Sequence, residues 1–391
     1  MEYNPRVLTG RLKSEFEMIG VDPAGIDIML PKSEFRAVKL KKVPSTAANI
    51  IKQEMLSEGG DAATARGTIN HGVSETDIII FGTKRQFRGL IDSIRHQHFK
   101  LSVIAKEIED VLKRYELTPS PILGMEFGKR TYVMGILNVT PDSFFENGKY
   151  FDTDRAVKHA VQMVNEGADI IDIGGESTRP GSHAVTAAEE IKRIIPVIEG
   201  IVKTVNTVIS VDTQKATVAQ EAIKAGAKII NDISALNYDQ NMANIAAKFD
   251  VPIILMHMQG SPADMQFDPH YDDLISEILD YLEKSVTIAL KAGVKENKII
   301  VDPGIGFGKT FDHNIEILRR LNEFKSLGKP LLLGASNKSF IGKVIDAAAD
   351  QRLEGTIAAV VSAIGAGADI VRVHNVLSVV KAVKMADAAY R

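Results

Sequence analysis

In the stretch 130–391, polar residues recur at the ends of short apolar runs, and their side chains sort into two chemistries. Asp212, Asn231 and Asp302 bring carboxylates and an amide, which can pair with the N–H edge of a flat, amide-like heterocycle. Arg179, Lys338, Arg372 and His374 bring donors and positive charge, which suit an anion. Asn138, Glu176, Thr178 and His257 complete the set. A site with both characters fits a heterocycle linked to a phosphate.

Such residues act together only if the chain brings them to one place. The apolar runs Tyr132–Leu137, Ile170–Ile173, Val208–Val211, Lys228–Ile230, Pro252–Leu255, Ile299–Val301, Leu331–Leu333 and Asp369–Val371 read as strands. Helical patterns such as Asp154–Glu166, Ala187–Val202 and Asp273–Ala292 separate them. Three strands share an entry phrase: a glycine that can end a helix, an alanine, then an apolar run (Gly167, Gly226 and Gly367). Eight strand–helix units of this length predict a (β/α)8 TIM barrel, in which functional side chains gather where strands end. Every unit then supplies a polar group at the same rim. A doubly wound open sheet is the alternative that spacing alone leaves.

Upstream, residues 1–117 predict a small α/β domain. Short strands are expected at Asp27–Leu30 and Asp77–Phe81, and helices at Ala47–Ser57, Arg85–Arg95 and Leu101–Tyr115. The Lys39, Lys41, Lys42 cluster reads as a solvated face. Residues 118–129, with Pro119 and Pro121, read as a linker to a barrel over 130–391. A net charge of -3 argues against nucleic-acid binding. No leader and no apolar run of membrane-spanning length is visible, so a cytoplasmic protein is expected. The chain has no cysteine, which removes disulfides, thiolate catalysis and zinc–thiolate sites. Gly304-Ile305-Gly306-Phe307-Gly308-Lys309-Thr310 looks superficially like a P-loop, but Pro303 stands where the first glycine of that motif is needed.

Several segments, taken in order, resemble the dihydropteroate synthase family. Gly135-Ile136-Leu137-Asn138-Val139-Thr140-Pro141-Asp142-Ser143-Phe144 is similar to its first signature, and Gly174-Gly175-Glu176-Ser177-Thr178-Arg179-Pro180-Gly181 to its second. Ser210-Val211-Asp212-Thr213, Asn231-Asp232-Ile233, Met256-His257-Met258, Asp302 to Lys309, Lys338-Ser339-Phe340-Ile341-Gly342 and Arg372-Val373-His374 follow in the family's order.

The resemblance implies an enzyme of folate biosynthesis that joins p-aminobenzoate to a pterin carried on a pyrophosphate, with Mg²⁺ as cofactor and sulfonamide drugs as inhibitors. Asp212, Asn231, Asp302, Lys338 and Arg372 would hold the pterin. Asn138, Thr178, Arg372 and His374 would hold the pyrophosphate, with Asn138 touching the metal. Phe144, Thr178, Arg179, Pro180, Phe307 and Ser339 would form the p-aminobenzoate pocket. Asn138, Glu146, Lys338, Arg372 and His374 would be the catalytic group. Residues 339–345 would form a short helix opened by Ser339. His257 reads as a core histidine bonded to backbone, and Glu176 as an organiser of its loop. The family is usually a homodimer; no membrane or nucleic-acid partner is expected.

Three positions depart from the family's pattern. Phe145-Glu146-Asn147-Gly148 replaces the usual Ser-Asp-Gly-Gly, Asn337 replaces a common Arg, and Asn375 replaces a common Asp. These put the reach of Glu146, the charge near the p-aminobenzoate pocket and the setting of Arg372 and His374 in question. Other expectations are a methyltetrahydrofolate-dependent methyltransferase with a similar pterin pocket, or a non-catalytic pterin-binding scaffold.

Overall fold

The computed structural model describes residues 3–10, 12–140, 145–146, 150–177 and 185–391. The chain divides into two compact units, Met1–Lys113 and Arg114–Arg391.

The first unit holds a three-stranded antiparallel sheet in the order β1-β3-β2, where β1 is Phe35–Pro44, β2 Asp61–Thr64 and β3 Glu75–Thr83. Helices Ser45–Ser57, Lys84–Ile94 and Leu101–Glu116 match the expected ones closely. Their apolar faces enclose Ile51, Met55, Phe87, Leu90 and Ile108 with Ile78 and Ile80 of the sheet. Residues 27–30, expected as a strand, lie inside helix Pro23–Ser33. The cause is at its start: Asp22 accepts a hydrogen bond from the Ala24 N–H, and Pro23 occupies the first turn, where its fixed φ suits a helix. The strand β1 went unexpected, and Lys39, Lys41 and Lys42 sit on it as exposed side chains.

The second unit is an eight-stranded parallel barrel. Its strands are β4 (Tyr132–Asn138), β7 (Ile170–Gly174), β8 (Val208–Asp212), β9 (Ile229–Asp232), β10 (Ile253–Met256), β11 (Ile299–Asp302), β12 (Leu332–Leu333) and β13 (Ile370–Val373). A two-stranded pair, β5 (Phe145–Glu146) with β6 (Tyr150–Phe151), lies outside the barrel sheet. The sheet order is β11-β10-β9-β8-β7-β4-β13-β12. A parallel bridge from Val301 to Leu331 joins its two ends, so the sheet is closed rather than open. Gly167, Gly226 and Gly367 all adopt positive φ where a helix gives way to a strand, as their shared phrase predicts.

Side chains on a strand alternate faces, and this layers the barrel interior. Met134, Ile170, Val208, Ile229, Ile254, Ile300, Leu332 and Ile370 pack into an apolar floor. Residues 118–129, read as a linker, contribute Ile122, Met125 and Phe127 to that floor, each nearly fully buried. Two residues further along the strands, on the same face, stand Asp172, Ser210, Asn231, Met256, Asp302 and Arg372. A polar layer thus sits directly above an oily one, at the end where the strands lead into their helices. Among the described residues, no helix is long and apolar enough to cross a membrane.

Candidate active site

Arg372 anchors the polar layer. Its Nε donates to Asp172 Oδ2 and its Nη2 to Asp212 Oδ2, each at 2.6 Å. Asp172 Oδ2 also accepts from Asn231 Nδ2 at 3.0 Å. Side chains of strands β13, β7, β8 and β9 are therefore linked to one another as well as the strands being paired in the sheet. Burial opposes the charge on Arg372, but Asp172 and Asp212 outweigh it and hold the guanidinium firmly protonated. Asp212 stays the less comfortable partner. Burial pushes its carboxyl up to about 7, even with Arg372 alongside.

Across the mouth, Asp302 ends β11 and accepts from the Gly304 N–H at 2.7 Å. Burial raises it to about 6, against the pull of that N–H and of Lys338 and Arg372. Lys338 follows β12 in the chain, and its Nζ lies 4.0 Å from the centre of the Phe307 ring. Burial and the charge of Arg372 bring its ammonium down to about 8. Two cations and three carboxylates thus lie close enough to act on one another at this end of the barrel. Phe307 also packs with Ile233, Met256, Met258 and Met265, an apolar wall beside the polar groups.

The loop from Asp302 to Lys309 is shaped by glycines. Gly304 and Gly308 have φ of +68° and +63°, and a Cβ on either would meet the carbonyl oxygen of His257 at 1.9 Å or of Gln259 at 2.3 Å. Only glycine lets this loop lie against the backbone after β10. Lys309 is buried and donates to Phe307 O at 2.9 Å and to His257 Nδ1 at 2.8 Å. Burial lowers both Lys309 and His257 well below their ordinary values. His257 is the expected core histidine, buried and hydrogen-bonded to backbone, and its Nδ1 also meets the Lys309 side chain.

Glu176 accepts from the Val185 N–H (2.9 Å) and, with buried Glu190, from Lys215 Nζ (2.6 Å each). It organises its loop, as read from the sequence. Asn138 ends β4 opposite Gly174, half-buried. His374 is exposed, with Nδ1 3.0 Å from Ser336 Oγ. Ser339 is exposed and opens the helix Ser339–Ile345 as expected. Phe144, Thr178, Arg179 and Pro180 lie outside the described residues, and of Glu146 only its strand is described.

Two of the departures have local explanations. Asn337 has a left-handed φ of +58°, which Asn tolerates, and its carbonyl accepts from Arg352 Nη1 at 2.9 Å. A guanidinium therefore stands beside the position where the usual Arg is missing. Asn375 caps helix Val376–Tyr390 by accepting from the Ser378 N–H at 3.0 Å, a task Asn and Asp perform equally.

Sequence reading missed Asp172 because Ile170-Ile171-Asp172-Ile173 reads as a buried strand. Only closure of the barrel shows that its one acid faces inward. It missed Ile233, Met256 and Met258 because apolar wall and apolar core look alike in a sequence. A cavity of about 290 Å³ opens among the loops after β7 to β10, lined by Glu176, Gln214, Ser234, Tyr238 and Tyr281. None of the polar-layer side chains lines it.

The family described as pterin binding enzyme matches residues 134–374. The dihydropteroate synthase of Bacillus subtilis is 51% identical over 264 residues, covering 68% of this chain and 90% of the relative. The chain belongs to the dihydropteroate synthase family of pterin binding enzymes. A crystal structure of the Clostridium difficile dihydropteroate synthase in the presence of pteroic acid superposes with a TM-score of 0.65 at 50% identity, covering 68% of this chain and 99% of that one. A probable bifunctional folylpolyglutamate synthase/dihydropteroate synthase of Halobacterium salinarum is 42% identical over 376 residues, 96% of this chain and 45% of the relative. A match of that length takes in most of the N-terminal unit as well as the barrel.

Proposed function

We infer that the barrel mouth performs the family's reaction with the residues placed there. The chain is a transferase that condenses 6-hydroxymethyl-7,8-dihydropterin pyrophosphate with p-aminobenzoate, giving 7,8-dihydropteroate and pyrophosphate. The observation that carries the assignment of roles is the sorting of charge: acceptors at Asp212, Asn231 and Asp302, cations at Lys338 and Arg372, all above one apolar floor. In this reading the acceptors take the amino and ring N–H groups of the pterin, and Ile233, Met258 and Phe307 cover its faces.

When the C–O bond to pyrophosphate breaks, negative charge grows on the leaving group and the methyl carbon becomes cation-like. Arg372, with His374 and Asn138 near the rim, meets that growing charge, and preplaced charge of this kind lowers the barrier. The aromatic amine is nucleophilic while neutral, so it forms the C–N bond without a covalent enzyme intermediate and then loses its proton. Phe307 and Ser339, with Phe144, Thr178, Arg179 and Pro180, are assigned to p-aminobenzoate by resemblance, and Glu146 keeps a catalytic assignment on the same ground. Arg352 supplies a guanidinium beside Asn337 for the benzoate end. Sulfonamides, which occupy a Yersinia pestis relative's crystal structure, belong to the same pocket in this reading.

The donor chemistry fits magnesium. The described residues contain no cluster of three acidic or histidine side chains set to cage a metal. Mg²⁺ needs none, since it is commonly held by one or two protein oxygens plus substrate phosphates. Asn138 would hold it through its amide oxygen, and the ion would neutralise charge on the pyrophosphate. A homodimer in the cytoplasm completes the proposal, on family resemblance alone.

The test supplies purified protein with the pterin pyrophosphate, p-aminobenzoate and Mg²⁺ and follows both products. Dihydropteroate and pyrophosphate should appear in equal amounts. Folded protein that leaves both substrates untouched would refute the proposal.

A further inference from the structure

Asp172 has no role in the reaction as set out above, yet it touches two residues that do. It is 0% exposed, at mid-strand in β7. Its Oδ2 accepts from Asn231 Nδ2 and from Arg372 Nε, while Oδ1 is buried and bonded to no described residue. Burying a carboxylate is costly unless something compensates it. Here the hydrogen bonds that compensate it go to two site side chains and none to the backbone of the fold.

The chemistry of the pair has a direction. An ionised carboxylate only accepts, so the edge of the Asn231 amide that faces Asp172 must be its NH₂. The carbonyl oxygen of Asn231 is thereby turned to the other side, where it accepts from no described residue. Were Asp172 replaced by a group that could donate, the amide could invert and offer NH₂ where it now offers oxygen. The same Oδ2 also holds Arg372 by Nε, which leaves Nη2 to reach Asp212. One buried oxygen therefore orients an amide and a guanidinium at once.

We propose that Asp172 is a positioning residue that sets the hydrogen-bonding sense of the pterin site. It fixes Asn231 as an acceptor beside Asp212 and Asp302, so that the pocket selects ligands presenting an N–H-rich edge, and it holds the plane of Arg372. This rests on the pterin reading of the mouth and deepens it.

The test is a double-mutant cycle read by calorimetric binding of 6-hydroxymethylpterin to the full chain, with the KM and kcat for the pterin pyrophosphate alongside. Asn231→Asp sets two carboxylates against each other and should weaken binding ~10-fold or more, the scale of a lost hydrogen bond to a charged group. Adding Asp172→Asn restores a donor facing an acceptor, with the acceptor still turned to the ligand, so the double variant should recover most of that loss. Asp172→Asn alone should raise KM more than it lowers kcat.

A double variant no better than Asn231→Asp would overturn the proposal. Should Asn231→Asp not fold, Asn231→Ala gives a second arm without like-charge contact. Asp172→Asn should then weaken binding less in the Asn231→Ala background than in the wild type, and equal losses in the two backgrounds would overturn the proposal. Wild-type protein that fails to bind the pterin would instead remove the functional reading, and this inference with it.

Discussion

Arg372→Ala strikes the contact on which the mouth is built, and its effects can be worked out separately for stability, pH dependence and rate. The substitution leaves Asp172 and Asp212 without the guanidinium that each holds at 2.6 Å. Breaking a buried ion pair from one side costs about 3–5 kcal/mol. For a unit the size of this barrel, each kcal/mol lowers the melting temperature by about 2–4 °C, so a fall of roughly 6–20 °C is expected. Asp212 also loses the largest influence that keeps its carboxyl from rising further, so its midpoint should climb above about 7. The acid limb of the kcat/KM profile should move up with it, because that limb reports the free enzyme. Turnover should fall about 10²–10³-fold, the usual effect of removing one group aimed at developing charge. Thermal unfolding and pyrophosphate release between about pH 5 and 9 read all three effects. A variant that melts with the wild type and keeps its acid limb near 7 would show that Arg372 does not clamp these carboxylates.

The ligand-free protein should lose stability as pH rises from about 4 through 7. Asp302 and Asp212, at about 6 and about 7, bind protons more tightly folded than unfolded, so their contribution is full at low pH and fades as they ionise. Asp212→Asn should flatten the upper part of that slope, which urea unfolding at several pH values would measure. Lys309→Met should cost about 1–3 kcal/mol by leaving Phe307 O and His257 Nδ1 without their shared donor, and the same unfolding curves check it. Gly304→Ala should cost at least about 1–3 kcal/mol from its positive φ, and more from the approach to His257 O, with pterin affinity falling as the loop shifts; unchanged unfolding and affinity would contradict the close packing.

The barrel was legible in the sequence for a physical reason. Its strands are buried on both faces, so they appear as unbroken apolar runs such as Ile299-Ile300-Val301, and the polar residue closing each run marks the rim. Even Leu332–Leu333, two residues long, stood out in this way. The N-terminal unit was harder to read. In β1 basic residues alternate with apolar ones around a register shift between Leu40 and Val43, so the solvated face was legible in its lysines while the strand that carries it was not. Asp212, Asn231, Asp302 and Arg372 could be picked out because each is a polar residue at or next to a strand end, and Lys338 because it stands in the loop after one. Asp172 could not, because its partners Asn231 and Arg372 lie 59 and 200 residues away and only the closed sheet brings them within reach.

The central claim is that one depression grips a neutral ring by its N–H edge while cations stand ready for the anionic tail. Calorimetric titration of 6-hydroxymethylpterin into Asp212→Asn, Asp302→Asn and wild-type protein at pH 8 tests it most directly. The account predicts a clear enthalpy of binding for the wild type and a loss of ~10-fold or more in affinity for each variant. Wild-type affinity in both variants would contradict it.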